Sequence, residues 1–238
     1  LLVYLGVKVN QIKEGSYTFQ AESINLELLK TEEYKEKAAS LRGSIMILGP
    51  LVARFGKAYI PQPGGDKIGR RRLDTHFFGL QELGAKFSYE AQENFFRIEA
   101  DKLQGKYMLL DEASVTGTAN ILMAATLAKG KSTIFNAACE PYILQLSKML
   151  ISMGAKITGV GTNSIKITGV KELKGCQYKV IGDYLEAGTY AIAAVATKGD
   201  VKIKGVHLDD LDAVWQKLRE IGANFELGDD WVHVKPHD

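Results

Sequence analysis

Met153-Gly154-Ala155-Lys156 ends a run of apolar residues at helical spacing and opens a run rich in β-branched residues. The same grammar stands 70 residues earlier, at Leu83-Gly84-Ala85-Lys86, and 68 residues later, at Ile221-Gly222-Ala223-Asn224. A weaker copy, Leu5-Gly6-Val7-Lys8, lies 78 residues before Leu83. Self-similarity at a near-constant period sets the architecture of a chain. A period near 70 is too long for a solenoid, so each repeat is expected to be a small folding unit. Gly84, Gly154 and Gly222 sit where helices stop, a place that favours glycine.

The middle unit shows the order of elements best. Residues 107–111 read as a strand, and Ser114-Val115-Thr116 supplies hydroxyls suited to a turn or helix cap. A helix follows through residues 121–127, ending near Gly130. Residues 132–135 are β-branched and aromatic, hence a strand. Pro141 is placed to start a helix, with Ile143, Leu144, Leu146, Met149, Leu150 and Met153 on its apolar face. Residues 156–158 and 165–168 form a hairpin around a glycine-rich turn. The fold class is α/β, built from repeated βαβαββ units. The unit before gives a helix over 45–55, a strand over 57–60, a helix ending at Leu83 and two strands around Ala91-Gln92. The unit after gives strands over 178–181 and 201–204, helices over 186–196 and 208–221, and strands either side of Gly228-Asp229.

Composition excludes several classes. The 238 residues are 46% hydrophobic and 24% charged, enough to bury a core and to argue against disorder. The 30 Lys+Arg and 28 Asp+Glu leave a net charge of +2, too balanced for a nucleic-acid or membrane-surface partner. No apolar run reaches the length of a membrane span. Cys139 and Cys176 cannot make a disulfide framework and fit a reducing cytosol, with both thiols expected to be buried or semi-buried rather than nucleophilic. The four histidines lack metal-ligand spacing with cysteine. Gly130-Lys131-Ser132 is not a phosphate loop, because it joins helix to strand rather than strand to helix. Gly159-Val160-Gly161 lies in a hairpin and lacks the third glycine of a dinucleotide fingerprint. The chain opens on Leu1 without an initiator methionine and is expected to be a fragment.

One segment stands apart. Residues 61–74 read Pro-Gln-Pro-Gly-Gly-Asp-Lys-Ile-Gly-Arg-Arg-Arg-Leu-Asp, between a strand and a helix. Its glycines make it pliable and its cations suit a phosphate-bearing ligand held by forked guanidinium groups. Asp66 is its lone central acid, a carboxyl able to approach and leave with a mobile lid.

Residues 63–71 of this loop resemble the active-site loop of the UDP-N-acetylglucosamine 1-carboxyvinyltransferase family. Residues 41–56 (Leu-Arg-Gly-Ser-Ile-Met-Ile-Leu-Gly-Pro-Leu-Val-Ala-Arg-Phe-Gly), 111–118 (Asp-Glu-Ala-Ser-Val-Thr-Gly-Thr) and 136–141 (Asn-Ala-Ala-Cys-Glu-Pro) resemble three further stretches of that family in the same order. The resemblance covers essentially the whole chain. It implies the enolpyruvyl transferase fold, an inside-out α/β barrel. It places most of the first, UDP-sugar-binding domain in residues 1–181 and the first unit of the second domain in residues 182–238.

The resemblance implies transfer of the enolpyruvyl group of phosphoenolpyruvate to the 3′-hydroxyl of UDP-N-acetylglucosamine, with loss of phosphate, at the start of peptidoglycan synthesis. No metal or organic cofactor is implied, and the location is expected to be the cytosol. Asp66 stands where the family usually has cysteine and is the expected general acid toward C3 of phosphoenolpyruvate. A carboxylic acid can donate that proton. The exchange predicts insensitivity to fosfomycin, which in this family alkylates the thiol. Arg42, Arg71, Arg72, Leu73, Asp74 and Thr75 match nucleotide-sugar-binding positions, and Arg71 also helps to hold the phosphate of phosphoenolpyruvate. Glu112, Ala113, Ser114 and Val115 match a second such segment, although the family often has a basic residue in place of Glu112. Thr116 replaces a glycine. Glu140 matches an acid lining the cleft and His76 a loop-side histidine, while their neighbours Pro141 and Asp74 give each an equal reading as a helix-start residue. The opposite wall of the cleft lies on segments the chain does not include, so the chain alone is expected to be inactive. Two alternatives differ in class and substrate: a non-catalytic nucleotide-sugar-binding homologue, and the shikimate-pathway enolpyruvyl transferase.

Overall fold

A computed structural model describes residues 1–64, 72–92 and 94–236. The chain divides into two compact units, residues 1–176 and 177–238. Each has its own apolar core.

The first unit opens with a hairpin, β1 (Lys8–Lys13) and β2 (Ser16–Gln20). A 3-10 turn over Leu26–Lys30 leads to α1 (Glu32–Ala39), capped by the Thr31 hydroxyl. A second 3-10 segment, Arg42–Ile47, runs into α2 (Leu48–Phe55), so the helix expected over 45–55 begins as a tighter turn. Then come β3 (Lys57–Pro61), α3 (Asp74–Glu82), β4 (Lys86–Glu90) and β5 (Phe95–Glu99), whose strands form an antiparallel sheet in the order β3-β5-β4. The middle repeat supplies β6 (Tyr107–Leu109), α4 (Val115–Ala125), β7 (Lys131–Phe135), α5 (Pro141–Ser152), β8 (Lys156–Thr158) and β9 (Ser164–Thr168). Its sheet order is β6-β7-β9-β8, with β6 parallel to β7 and the other pairs antiparallel. This is the full βαβαββ unit, and Pro141 opens α5 as its fixed φ favours.

α4 explains why the helices lie inside. Ser114 caps it through a hydrogen bond from the Gly117 amide, and Gly117 through Leu122 are buried without a break. A helix buried on all sides must be central, and α4 packs on α2, α3 and α5. The sheets lie outside. Along β6 the side chains alternate, with Met108 buried between exposed Tyr107 and Leu109, as a strand with one wet face requires.

The second unit contains α6 (Tyr184–Ala196), β10 (Val201–Lys204), a 3-10 turn over Leu208–Leu211, α7 (Asp212–Glu220), β11 (Phe225–Leu227) and β12 (Trp231–Val234). Its sheet order is β10-β12-β11. Trp215 anchors this core, fully buried, its indole donating to the Leu208 carbonyl at 2.9 Å. That bond secures the 3-10 turn, which replaces the start of the helix expected over 208–221.

Gly6, Gly84, Gly154 and Gly222 have φ of 101°, 98°, 102° and 78°. All four stops are left-handed, where a side chain is strained, which accounts for the repeating signature. Two expectations are corrected. Residues 178–181 form no strand: no neighbouring strand pairs with them among the described residues, and Val180 is 74% exposed. A strand needs a ladder partner, and β propensity alone does not supply one. Cys139 and Cys176 are exposed, not buried, because both lie in irregular segments outside the sheets and helices. Among the described residues no single helix is long and apolar enough to cross a membrane.

Candidate functional site

Hydrogen bonds join three elements. The 3-10 segment brings Arg42, the start of α3 brings residues 72–76, and the turn between β6 and α4 brings Asp111 through Ser114. Asp66 and Arg71 lie outside the described residues, as does the rest of the loop between Gly64 and Arg72.

Arg72 ties these elements together. Its Nε donates to Asp74 Oδ2 at 2.6 Å and its Nη2 to Asp111 Oδ2 at 3.3 Å. The hydrogen bond to Asp74 comes first, then the charges of Asp74 and Asp111, in holding this guanidinium even more firmly protonated than usual. Arg42 Nη2 donates to the Arg72 carbonyl at 3.2 Å. Next to Asp74, the Thr75 hydroxyl donates to Glu112 Oε1 at 3.0 Å. Glu112, acidic where a basic side chain was the family expectation, therefore has a partner here. Asp74 also stands in the first turn of α3, where a carboxylate complements the helix dipole. Leu73 contributes its carbonyl, which accepts from the His76 and Phe77 amides. Ala113 is exposed, and Val115 begins α4 behind its Ser114 cap.

His76 and Glu140 lie differently. His76 is 1% exposed. Its ring faces the interior, between Thr116 Oγ1 at 3.1 Å from Nε2 and Asn120 Nδ2 at 2.8 Å from Nδ1. Glu140 is the residue before α5; its Oε2 is buried without a hydrogen-bond partner, and no described contact joins it to the Arg72 cluster.

The protonation of His76 follows from its neighbours. Asn120 Oδ1 accepts from the Gly49 amide at 2.8 Å and Nδ2 donates to the Ile45 carbonyl at 2.8 Å. An amide can only donate and a carbonyl only accept, so the Asn120 orientation is fixed. Nδ2 therefore donates to His76 Nδ1, leaving the ring hydrogen on Nε2 to donate to Thr116. Burial, and then the charge of Arg42, push the His76 pKa from 6.5 down to about 4. A group whose folded pKa is depressed stabilises the fold above its unfolded value and loses that contribution as pH falls toward the folded one. Stability should decline from pH 6.5 toward pH 4, by about 2–3 kcal/mol at pH 4.5 from this group. Urea unfolding at pH 7 and pH 4.5 reads it, and the difference should shrink in His76→Gln, which has no proton to gain.

Asn120 and Asp111 were not singled out in advance. Asn120 had a signal: a lone amide in the apolar run of α4 must find partners if buried. Asp111 sat inside a quoted motif, but only the fold reveals that Arg72 reaches it. Among the described residues no cluster of His, Cys, Asp and Glu could hold a metal ion.

Central helices enclosed by small mixed sheets, in tandem units, define the enolpyruvyl transferase fold. The enolpyruvyl transferase NikO from Streptomyces tendae superposes with a TM-score of 0.77 at 17% identity, covering 99% of this chain and 56% of that one. EPSP synthase from Acinetobacter baumannii superposes with a TM-score of 0.69 at 20% identity, covering 98% and 54%. Residues 1–238 match the EPSP synthase (3-phosphoshikimate 1-carboxyvinyltransferase) family, and the chain belongs to it. Curated relatives named UDP-N-acetylglucosamine 1-carboxyvinyltransferase are 52% identical in Bacteroides thetaiotaomicron and 51% identical in Porphyromonas gingivalis. These matches cover 98% and 97% of this chain, which spans about half the length of each relative (54% and 53%).

Proposed function

We propose that this chain is the loop-bearing part of an enolpyruvyl transferase acting on UDP-N-acetylglucosamine. The observation that carries the reading is the 50–52% identity, over 98% of the chain, to relatives named for that activity. The structures named EPSP synthase share the fold at only 20% identity, which weighs against the shikimate substrate.

In this reading the sugar 3′-hydroxyl attacks C2 of phosphoenolpyruvate while Asp66 delivers a proton to C3. The tetrahedral phospho-ketal then gives up a proton from C3 and expels phosphate, leaving the enol ether on the sugar. Arg42 and the segment 71–75 bind the nucleotide sugar, with residues 112–115 across from them. Arg71 also meets the phosphate of phosphoenolpyruvate. The clasp of Arg72 on Asp74 and Asp111 supports this role, because it fixes both segments against each other before substrate arrives. Preorganisation of this kind lowers the cost of binding. His76 acts from behind, holding α3 against α2 and α4. The chain by itself supplies one wall of the cleft, and catalysis requires both. The reaction needs no metal or organic cofactor and runs in the cytosol.

The test is phosphate release from phosphoenolpyruvate by the protein extended to the length of its relatives. Release that depends on UDP-N-acetylglucosamine supports the reading. UDP-sugar binding without release, from a folded protein, overturns it in favour of a binding homologue.

A further inference from the structure

A cavity of the first unit lies away from the loop. It lies at the opposite end of β3, about 13 Å along the strand from Pro61 at the usual rise per residue. Its volume is about 900 Å³, and its wall includes Arg54, Lys57, Lys102, Lys129 and Lys171. That volume is in the range of small-molecule sites.

The charge of this wall is unbalanced. Glu99 and Asp101 are its acidic residues. Glu99 is already gripped by Arg97, whose Nη2 reaches its two oxygens at 2.8 and 2.9 Å. None of the ion pairs among the described residues takes up Lys57, Lys102, Lys129 or Lys171. The ends of α2 and α4 contribute roughly half a negative charge each, which is small against five full cations. Like charges gathered on a concave surface repel one another and focus a positive potential into it.

The wall is also built rather than loose. The Ala100 amide donates to the Gly56 carbonyl at 2.7 Å and the Lys129 amide to the Leu103 carbonyl at 2.9 Å. Gly169 and Val170 donate to the carbonyls of Gly130 and Thr126, at 2.9 and 2.8 Å. Four segments distant in sequence are thus strapped together by backbone bonds. Arg54 is held as well, with Nη2 on the Ala21 carbonyl at 2.7 Å.

We propose that this cavity is a binding site for a small multivalent phosphate, a polyphosphate or a phosphate ester, separate from the loop site. Lysine ammonium groups are compact charges with three rotating donors, suited to phosphate oxygens from several directions. Several such groups around one cavity favour a ligand that carries several charges. The inference does not rest on the proposed transferase activity.

Tripolyphosphate is the probe, titrated calorimetrically into the 238-residue chain at low salt. The loop arginines could bind it too, so the titration uses Arg70→Gln/Arg71→Gln. In that background we expect one equivalent bound, at least tenfold tighter than orthophosphate, and weakened by added salt through screening. Adding Lys102→Gln/Lys129→Gln should weaken it at least tenfold. Lys102 and Lys129 are exposed, and an unchanged thermal melt of each variant without ligand shows that folding is intact. The proposal is overturned if the loop variant binds no tripolyphosphate, if orthophosphate binds equally well, or if the lysine changes leave the affinity unaltered.

Discussion

Asp66→Ala should lower UDP-sugar-dependent phosphate release by about 10²–10⁴-fold in the protein extended to its relatives' length, the usual contribution of a positioned general acid. Asp66→Asn should lose nearly as much, because an amide keeps the shape and lacks the acidic proton. Asp66→Cys should retain turnover and acquire irreversible inhibition by fosfomycin, whereas the unsubstituted protein should stay active in its presence. A second readout separates proton delivery from mere positioning. A general acid must be protonated, so activity falls as pH rises through its pKa. An ordinary Asp near 3.9 would leave about one molecule in a thousand protonated at pH 7. On the proposed mechanism the pKa of Asp66 must lie above that ordinary value. The thiol of Asp66→Cys, with an ordinary value near 8.5, should carry the falling limb to higher pH. Full activity in Asp66→Ala would remove Asp66 from the mechanism. An unshifted limb in Asp66→Cys would reassign the proton donor to another group.

The fold was legible where sequence carried strong local grammar. The glycine stops at 84, 154 and 222 each terminate a helix and demand positive φ, so the repeat could be read directly. Pro141 and Ser114 marked the starts of α5 and α4 for reasons local to the backbone. What failed lacked such punctuation. The 3-10 segments Arg42–Ile47 and Leu208–Leu211 differ from α-helix only in the ring size of their hydrogen bonds, and apolar spacing does not report that. Residues 178–181 have strand composition, but composition does not provide the neighbour that a ladder needs. At the candidate site, hydrogen bonds link Arg42, Arg72, Asp74 and Asp111, and a separate one joins Thr75 to Glu112. His76 shared their motif and faces the other way, because helical spacing turns successive residues of α3 to different sides. Asn120 belongs to no motif; a lone amide in an apolar run signals a need for partners, and only the fold shows which ones.

Asn120→Ala should be among the most destabilising single changes in the first unit. The side chain is fully buried on α4. It accepts from the Gly49 amide and donates to the Ile45 carbonyl and to His76 Nδ1, each at 2.8 Å. Alanine would leave the Gly49 amide and His76 Nδ1 without the Asn120 partner in a dry interior, and would take from the Ile45 carbonyl one of its two donors, the Leu48 amide being the other. Each orphaned group costs about 1–3 kcal/mol; some relief from relaxation leaves an expected loss of about 3–5 kcal/mol. Native domains hold only about 5–15 kcal/mol in all. Relaxation is limited here, because α2 approaches α4 so closely that a Cβ on Gly49 would lie 2.4 Å from the Asn120 carbonyl oxygen. The urea midpoint of the variant reads the loss directly. Thr116→Ala provides the contrast, since its hydroxyl is on an exposed residue and can be replaced by water. That change should cost less than about 1 kcal/mol. A pH series adds a sign that packing alone would not produce. The Asn120 donor favours the unprotonated Nδ1 of His76, so its removal should raise the His76 pKa, while burial and the Arg42 charge still hold it below its ordinary value. The extra loss of stability in acid should shrink accordingly. A variant that unfolds within 1 kcal/mol of the parent, with the acid dependence unchanged, would show that Asn120 does not hold α2, α3 and α4 together.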